Sequence, residues 1–249
     1  MAVDESQFLS TMSGYFKPRH DWREATGRRV TVAIVDSGIE GGHPELKGKV
    51  IESVEARVEG NRVVFDPSTG GDSAGHGTAC AGIIAKIAPD AKFASIKVLG
   101  AGGLGDGQVF IAGLEYAIKK RYKVINLSLG TTKPQFFAPL HDMLDRAYQA
   151  GCIVVAAANN LPQPSFPSVF SSSLISVIKS EETDPLKFGF HYGQVIELTA
   201  PGLAIEYGFA WRIASNLVSA LGVVGGYLAA VALYLNIEQP ASTLREIFG

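Results

Sequence analysis

Residues 29–38 read RVTVAIVDSG, an apolar and largely β-branched run that ends at Asp36. Such a run is typical of a strand buried on both faces of a sheet. Outward from it, the apolar patterns predict strands at 91–98, 123–129, 152–157 and 173–178, and helices at 76–87, 108–120 and 137–150. Strands that alternate with helices of this length predict right-handed crossovers, and therefore an α/β fold with a mostly parallel sheet and helices on both faces.

Three polar residues stand where such a sheet binds its ligands, beyond the carboxyl ends of the strands. Asp36 ends the first strand, His76 lies between two glycines at a predicted helix start, and Asn160 ends the run VVAAANN. A carboxylate can orient an imidazole, and an amide can donate to a developing oxyanion. Each residue alone is equally consistent with a turn or a structural role, so the three gain meaning only together.

Composition narrows the class of protein. The 249 residues carry 22 basic and 24 acidic side chains, a net charge of −2, which excludes the broad basic surface of a nucleic-acid-binding protein. Two cysteines exclude a disulfide scaffold. The opening MAVDESQF has no apolar signal region, so we expect a cytoplasmic protein with a polar arm at 1–19 and one domain at 20–249.

The segment 213–237 contains no charged residue, and two interpretations remain open. It is long enough for a membrane span, and Gly222 with Gly226 forms a GxxxG pair. Asn216 and two serines interrupt the run, and no basic cluster follows it, which favours a helix buried inside a large α/β domain. Membrane insertion is the less favoured interpretation.

Taken in order, the motifs resemble those of the subtilases, the subtilisin-like serine proteases, over roughly residues 20–248. VAIVDSGIEGGHPEL at 32–46 resembles the family's aspartate motif, and GHGTACAGI at 75–83 resembles its histidine motif. KVLGAGGLG at 97–105 and VINLSLG at 124–130 resemble the family's two substrate-binding strands. VVAAANN at 154–160 resembles its oxyanion segment. The resemblance implies the subtilisin-like three-layer fold.

The resemblance also implies roles for individual residues. Asp36 would orient His76, His76 would act as general base, and Asn160 would donate to the oxyanion. The implied ligand is a peptide or protein substrate, held in extended form by backbone hydrogen bonds on both sides. The residues implied in that groove are Gly103, Leu104, Gly105, Ser128, Leu129, Gly130 and Asn159.

The nucleophile segment departs from the family pattern. The family motif G-T-S-x-A-x-P is followed by V-A-G, and matching V-A-G to Val223–Gly225 aligns Leu217 with the serine. Leucine has no lone pair and no acidic proton, so no acyl-enzyme can form there. Ser215 and Ser219 lie two positions to either side, about 200° around a helix, and reach His76 only if the local register changes.

Further departures concern the pocket and the metal. Asn159 replaces the glycine that usually precedes the oxyanion asparagine, and its side chain could obstruct the specificity pocket. The calcium-binding loop of related secreted enzymes is missing after His76, so we expect no metal and no cofactor, although Glu45 stands where the acidic partner would be. Cys80, one helical turn after His76, is expected to be a small buried residue.

Two functional hypotheses follow from this sequence. The first is a peptide-binding pseudoprotease that has lost its nucleophile and serves a partner protein. The second is an active intracellular serine endopeptidase that uses Asp36 and His76 with Ser215 or Ser219. The missing serine favours the first, because nucleophilic catalysis is impossible without it.

Overall fold

The computed structural model of the protein describes residues 26–69, 71–158, 163–170, 173–180, 189–191, 194–196 and 198–201. Part of the sequence-based interpretation concerns residues outside these ranges. They are the arm at 1–19, the apolar segment 213–237, and the site candidates Asn159, Asn160, Ser215, Leu217 and Ser219.

The described part of the chain forms nine strands and three α-helices. The strands are β1 (Thr31–Asp36), β2 (Val50–Glu59), β3 (Arg62–Pro67), β4 (Lys92–Lys97), β5 (Val124–Leu127), β6 (Ile153–Ala157), β7 (Ile175–Ser180), β8 (Gly189–Phe190) and β9 (Leu198–Pro201). The helices are α1 (His76–Ile87), α2 (Gly107–Lys119) and α3 (Phe137–Gln149), with short 3₁₀ turns at Ala101–Gly103 and Pro134–Phe136. Across the described ranges, no helix is both long and apolar enough to cross a membrane.

The strands form one sheet in the order β3-β2-β4-β1-β5-β6-β7-β9-β8. Neighbours from β2 to β9 in that order pair in parallel, while β3 and β8 pair antiparallel at the two edges. The predicted α/β fold with a mostly parallel sheet is thereby confirmed. Strand β1 lies between β4 and β5, where the direction of the strand order changes, so its carboxyl end borders the crevice in which such sheets bind ligands.

Two apolar layers cover the sheet, one on each face. Val32 and Ile34 of β1 pack in the layer that contains α1, whereas Ala33 and Val35 pack in the layer that contains α2 and α3. All four side chains are fully buried. Strand β1 therefore contributes to both layers, which explains why its sequence is continuously apolar instead of alternating. The prediction of helices on both faces is confirmed.

The antiparallel hairpin of β2 and β3 is absent from the sequence-based predictions. Its strands are only partly covered, and two large apolar side chains of β2, Ile51 and Val58, are more than half exposed. Apolar residues that face solvent obscure the period-two pattern that identifies a half-buried strand. The turn between the strands offered the better sequence signal, because Gly60 followed by Asn61 favours a tight hairpin turn. In the structure, Gly60 has a φ of 60°.

Candidate active site

The carboxylate of Asp36 lies at the carboxyl end of β1, in the middle of the sheet. It is fully buried, and the backbone N–H of Ser37 donates to its Oδ1 at 2.7 Å. The backbone carbonyl of the same residue accepts from the N–H groups of Val98 and Leu99 at 2.8 and 3.2 Å. Asp36 is therefore fixed through its side chain and its backbone, and its backbone is tied to the segment that follows β4.

His76 is the first residue of α1, and its imidazole meets the carboxylate of Asp36. Nδ1 lies 2.9 Å from each of the two carboxylate oxygens, and 27% of the histidine side chain is exposed. When Nδ1 donates to the carboxylate, Nε2 is the basic nitrogen of the ring. The arrangement can perform general base chemistry. The structure thus brings together Asp36 and His76, whereas Asn160, the third predicted residue, lies outside the described residues.

Glycines allow α1 to begin this close to the end of β1. Gly75 has a φ of 78°, a conformation that residues with a side chain rarely adopt. A Cβ atom at Gly77 would lie 2.2 Å from the carbonyl oxygen of Gly38, and a Cβ at Gly38 would lie 2.3 Å from that of Gly71. The close backbone approach therefore requires glycine at Gly77 and Gly38, and the positive φ favours glycine at Gly75.

Opposing influences act on the imidazole of His76. Burial lowers its pKa, but the hydrogen bond and charge of Asp36, together with the charge of Asp72, outweigh burial and hold the pKa above the usual 6.5. The neighbouring carboxylates therefore favour the protonated ring. An imidazole stabilised in this form is well suited to take a proton from a reacting group.

Asp72 is a site residue that the sequence-based predictions missed. It lies in the loop before α1, is partly buried, and accepts hydrogen bonds from both the loop and the helix. Burial raises the pKa of Asp72, but hydrogen bonds from Thr78 and Ser37 outweigh that effect and hold the pKa below its usual value. An aspartate four residues before a helix-starting histidine was the available signal, since a short acidic side chain there can satisfy helix N–H groups.

Cys80 lies beneath the pair, and it is the residue to consider for a metal. Its Sγ and the ligand atoms of Asp36 and His76 lie within 4.8 Å of one another, the one such group of three among the described residues. Burial, aided by the charge of Asp36, raises the pKa of the Cys80 thiol well above its usual value, which opposes the thiolate that a metal needs. The Sγ instead contacts the hydroxyl of Ser128 at 3.1 Å. The prediction that Cys80 is a small buried residue is confirmed.

The two predicted peptide-binding segments follow the strands on either side of β1. Residues 98–105 follow β4, and the side chain of Leu104 in this segment is 79% exposed. Instead of continuing as a strand, the chain forms a 3₁₀ turn in which the N–H of Gly103 donates to the carbonyl of Gly100 at 3.2 Å. Gly105, beyond this turn, is also exposed.

Residues 128–130 form the second segment, and they lie past the end of β5. The sequence predicts a strand through Leu129, but pairing with β1 and β6 ends at Leu127, so the chain leaves the sheet earlier. Ser128 and Leu129 are partly buried, and Gly130 is exposed. Immediately after them, Thr131 pairs with Phe166 through two backbone hydrogen bonds of 2.9 and 2.8 Å, which fixes the far end of the segment.

Comparison with known proteins identifies relatives across most of the sequence. The profile of the subtilase family matches residues 27–222. Thermitase from Thermoactinomyces vulgaris is 35% identical over 237 residues, which cover 90% of this chain and 81% of thermitase. Subtilisin Savinase from Lederbergia lenta is 33% identical over 230 residues, which cover 88% of this chain and 80% of that protein. The chain spans only 28% of a longer relative, the minor extracellular protease Epr of Bacillus subtilis (strain 168).

Solved structures share the fold. The structure of S41 psychrophilic protease matches with a TM-score of 0.72 at 22% identity, over 89% of this chain and 82% of that one. A cold-adapted subtilisin-like serine proteinase matches with a TM-score of 0.68 at 24% identity, over 86% of this chain and 78% of that one. These two likenesses concern the fold alone. The profile match and the relatives that are more than 30% identical show that this chain belongs to the subtilase family.

Proposed function

We propose that this subtilase binds extended peptides and has lost most or all of the ability to hydrolyse them. The observation that carries the proposal is Leu217, which stands in the nucleophile position when Val223–Gly225 is matched without gaps to the family motif. Leucine offers neither a lone pair nor a transferable proton, so the Asp36–His76 pair has no nucleophile to activate.

The expected loss of rate is large. A subtilisin that lacks its serine keeps only about 10³–10⁴-fold acceleration over water, which comes from the oxyanion hole and from binding. By the family resemblance, Asn160 supplies a donor for the oxyanion, and Asn159 places a side chain where the family has glycine. A protein with these properties would not be detected as a protease in an ordinary assay.

Peptide binding is supported by the segments on either side of β1. The backbone N–H groups of Val98 and Leu99 donate to the carbonyl of Asp36, so the first segment is anchored to the strand that carries the carboxylate. An extended peptide between 103–105 and 128–130 would receive backbone hydrogen bonds on both sides, as an added strand does. The relatives named above are proteases, and proteases bind peptide or protein chains.

An active serine endopeptidase is the second candidate, and one observation favours it. Both oxygens of Asp36 lie 2.9 Å from Nδ1 of His76, so the ring is held in the orientation that a general base requires. This candidate needs Ser215 or Ser219 to occupy the nucleophile position through a change of local register.

Restoring the serine is the sharpest test. Wild-type protein, Leu217→Ser, Leu217→Ala and His76→Ala are incubated with a mixed peptide library, and the products are quantified by mass spectrometry. We expect wild type and Leu217→Ala to match His76→Ala, and Leu217→Ser to cleave peptides well above that level. Cleavage by wild type that disappears in His76→Ala would overturn the proposal. Labelling by a serine-directed phosphonate, lost in Ser215→Ala or Ser219→Ala, would then locate the nucleophile.

Binding needs a separate measurement, because binding and hydrolysis can be lost independently. The same library is passed over immobilised wild type, Leu104→Asp and Ile51→Asp, and the retained peptides are identified. Leu104 lies in the proposed groove, whereas Ile51 is an exposed apolar residue on β2, outside the groove. We expect at least about a tenfold loss of retained peptide for Leu104→Asp and no change for Ile51→Asp. If wild type retains no peptide, the proposed binding function is wrong.

The proposal extends to location and partners. We place the protein in the cytoplasm, where it binds a peptide or protein ligand and delivers it to a partner protein. A net charge of −2 gives no reason to expect nucleic acid, and a membrane partner is not favoured. Cell fractionation and affinity purification from the cytoplasmic fraction test these statements.

A further inference from the structure

The partly buried carboxylate of Asp72 accepts five hydrogen bonds. Its Oδ1 accepts from the hydroxyl of Ser37 at 2.7 Å and from the N–H groups of Ala74 and Gly75 at 3.0 and 2.8 Å. Its Oδ2 accepts from the N–H and the hydroxyl of Thr78 at 2.8 and 2.6 Å. Five donors on two oxygens fix this carboxylate in position and stabilise its charged form.

Asp72 provides the side-chain hydrogen-bond acceptor that the N-cap position of α1 lacks. The residue at the N-cap position is Gly75, which has no side chain to satisfy the first N–H groups of the helix. Asp72 reaches in from the preceding loop and accepts from the N–H of Thr78, in the first turn. The hydroxyl of Thr78 also accepts from the N–H of Glu40, which lies in the loop after β1. The first turn of α1 is therefore attached to the loop that follows β1.

Ser37 connects the two carboxylates of the site. Its backbone N–H donates to Oδ1 of Asp36 at 2.7 Å, and its hydroxyl donates to Oδ1 of Asp72 at 2.7 Å. The same hydroxyl accepts from the N–H of Gly77 at 3.2 Å, directly beside His76. A single residue thus contacts Asp36, Asp72 and the backbone that carries the imidazole, and links the three through hydrogen bonds.

We infer that Asp72, acting through Ser37 and Thr78, is a positioning residue that holds the first turn of α1, and with it His76, against Asp36. Its hydrogen bonds hold the helix start in place, and its negative charge favours the protonated His76 ring. Among the described residues, the titratable groups that face His76 are Asp36 from β1, Asp72 from the loop before α1 and Cys80 from α1 itself. Asp72 is the one carboxylate that adds negative charge there without hydrogen bonding to the imidazole.

The inference concerns the histidine–aspartate pair alone, so it stands or falls separately from peptide binding and hydrolysis. Its test is the titration of the His76 ring in wild type, Asp72→Asn and Asp66→Asn by nitrogen-15 NMR, with His76→Gln to assign the signal. Asp72→Asn keeps the side-chain shape and removes the charge. Asp66→Asn removes one charge from β3, where Asp66 pairs with Arg57 on the surface, and serves as the matched control.

We expect the midpoint for His76 to fall by about 0.5 pH unit or more in Asp72→Asn and to stay unchanged in Asp66→Asn. The Nδ1 proton should also exchange faster with solvent, since the ring is held less firmly. Lower thermal stability in Asp72→Asn with an unchanged midpoint and unchanged exchange would reduce Asp72 to a helix cap and overturn the inference.

A second variant keeps the test valid if Asp72→Asn fails to fold. Ser37→Ala removes the hydroxyl that joins Asp72 to the backbone of Gly77 and leaves both carboxylates in place. We expect faster exchange of the His76 Nδ1 proton in this variant, together with a smaller change in midpoint than in Asp72→Asn. Exchange as slow as in wild type would contradict the proposed transmission through Ser37.

Discussion

Two glycines of the same helix should respond in opposite directions to substitution by alanine. A Cβ at Gly77 would lie 2.2 Å from the carbonyl oxygen of Gly38 and 3.2 Å from Cβ of Asp36, whereas a Cβ at Gly82 would meet nothing within 4 Å. Ordinary contact begins near 3.4 Å, so Gly77→Ala must move two backbone segments apart by about 1.2 Å. Both positions lie in α1, which makes Gly82→Ala the matched control.

The magnitude follows from two opposing contributions. Overpacking against a backbone that cannot rotate away costs about 3 kcal/mol, the upper part of the usual range. Alanine in place of glycine in a helix raises the free energy of unfolding by about 1 kcal/mol. We therefore expect Gly77→Ala to lower the free energy of unfolding by roughly 2 kcal/mol and Gly82→Ala to raise it by up to about 1 kcal/mol. In a chain of this length the difference corresponds to roughly 6–12 °C in Tm.

Thermal unfolding monitored by circular dichroism, with urea titration as a second measure, provides the assay. The NMR signal of the His76 ring should also change in Gly77→Ala, because the substitution separates the start of α1 from Asp36. A Gly77→Ala protein as stable as Gly82→Ala, with an unchanged His76 signal, would refute the argument that backbone contact at this point sets the geometry of the pair.

Four further predictions test the contacts described above. Glu52 accepts hydrogen bonds from Tyr116, Tyr122 and Lys120, so Glu52→Gln should lower the free energy of unfolding by roughly 1–3 kcal/mol in urea titration. Folding lowers the pKa of Asp72, so this carboxylate stabilises the folded protein above the usual carboxyl pKa. That stabilisation is lost as the pH falls through the lower pKa of the folded state. In Asp72→Asn, Tm should therefore fall less steeply with pH in the acid range. Folding raises the pKa of His76, so the protonated ring stabilises the folded protein below about pH 6.5. That stabilisation is lost as the pH rises through the higher pKa of the folded state. His76→Gln should show no such decrease in Tm. Both cysteines are buried, so a thiol reagent should label the native protein slowly and label two thiols once it is denatured.

The parts of the fold that local sequence could predict are those with a strong local signal. Helix α1 begins and ends where predicted, because Gly75 precedes it, its buried residues recur at helical spacing, and Pro89 follows it. Strand β1 was equally clear, since both of its faces are buried. The hairpin of β2 and β3 was not, since its apolar residues are divided between covered and exposed faces.

Within the site, the sequence motifs identified Asp36 and His76, whereas Asp72 had only a weak signal, its position four residues before His76. The role of Asp72 depends on Ser37, which lies 35 positions away and meets it only because the loop before α1 packs against the end of β1. Residue type and spacing carry no information about such a contact. The same holds for Glu52, whose partner Tyr116 is 64 positions away.

The Asp36–His76 pair would have a structural reason to persist even if hydrolysis were lost. Asp36 is fully buried, and its carboxylate is compensated by His76 and by the N–H of Ser37. Removing one partner of a buried charged pair costs about 3–5 kcal/mol, because the remaining charge is left uncompensated in the interior. Loss of the histidine would therefore lower the free energy of unfolding, whereas loss of a nucleophilic hydroxyl removes the chemistry. The intact pair is compatible with both functional candidates, so its presence does not separate them; the comparison of wild type with His76→Ala and Leu217→Ser does.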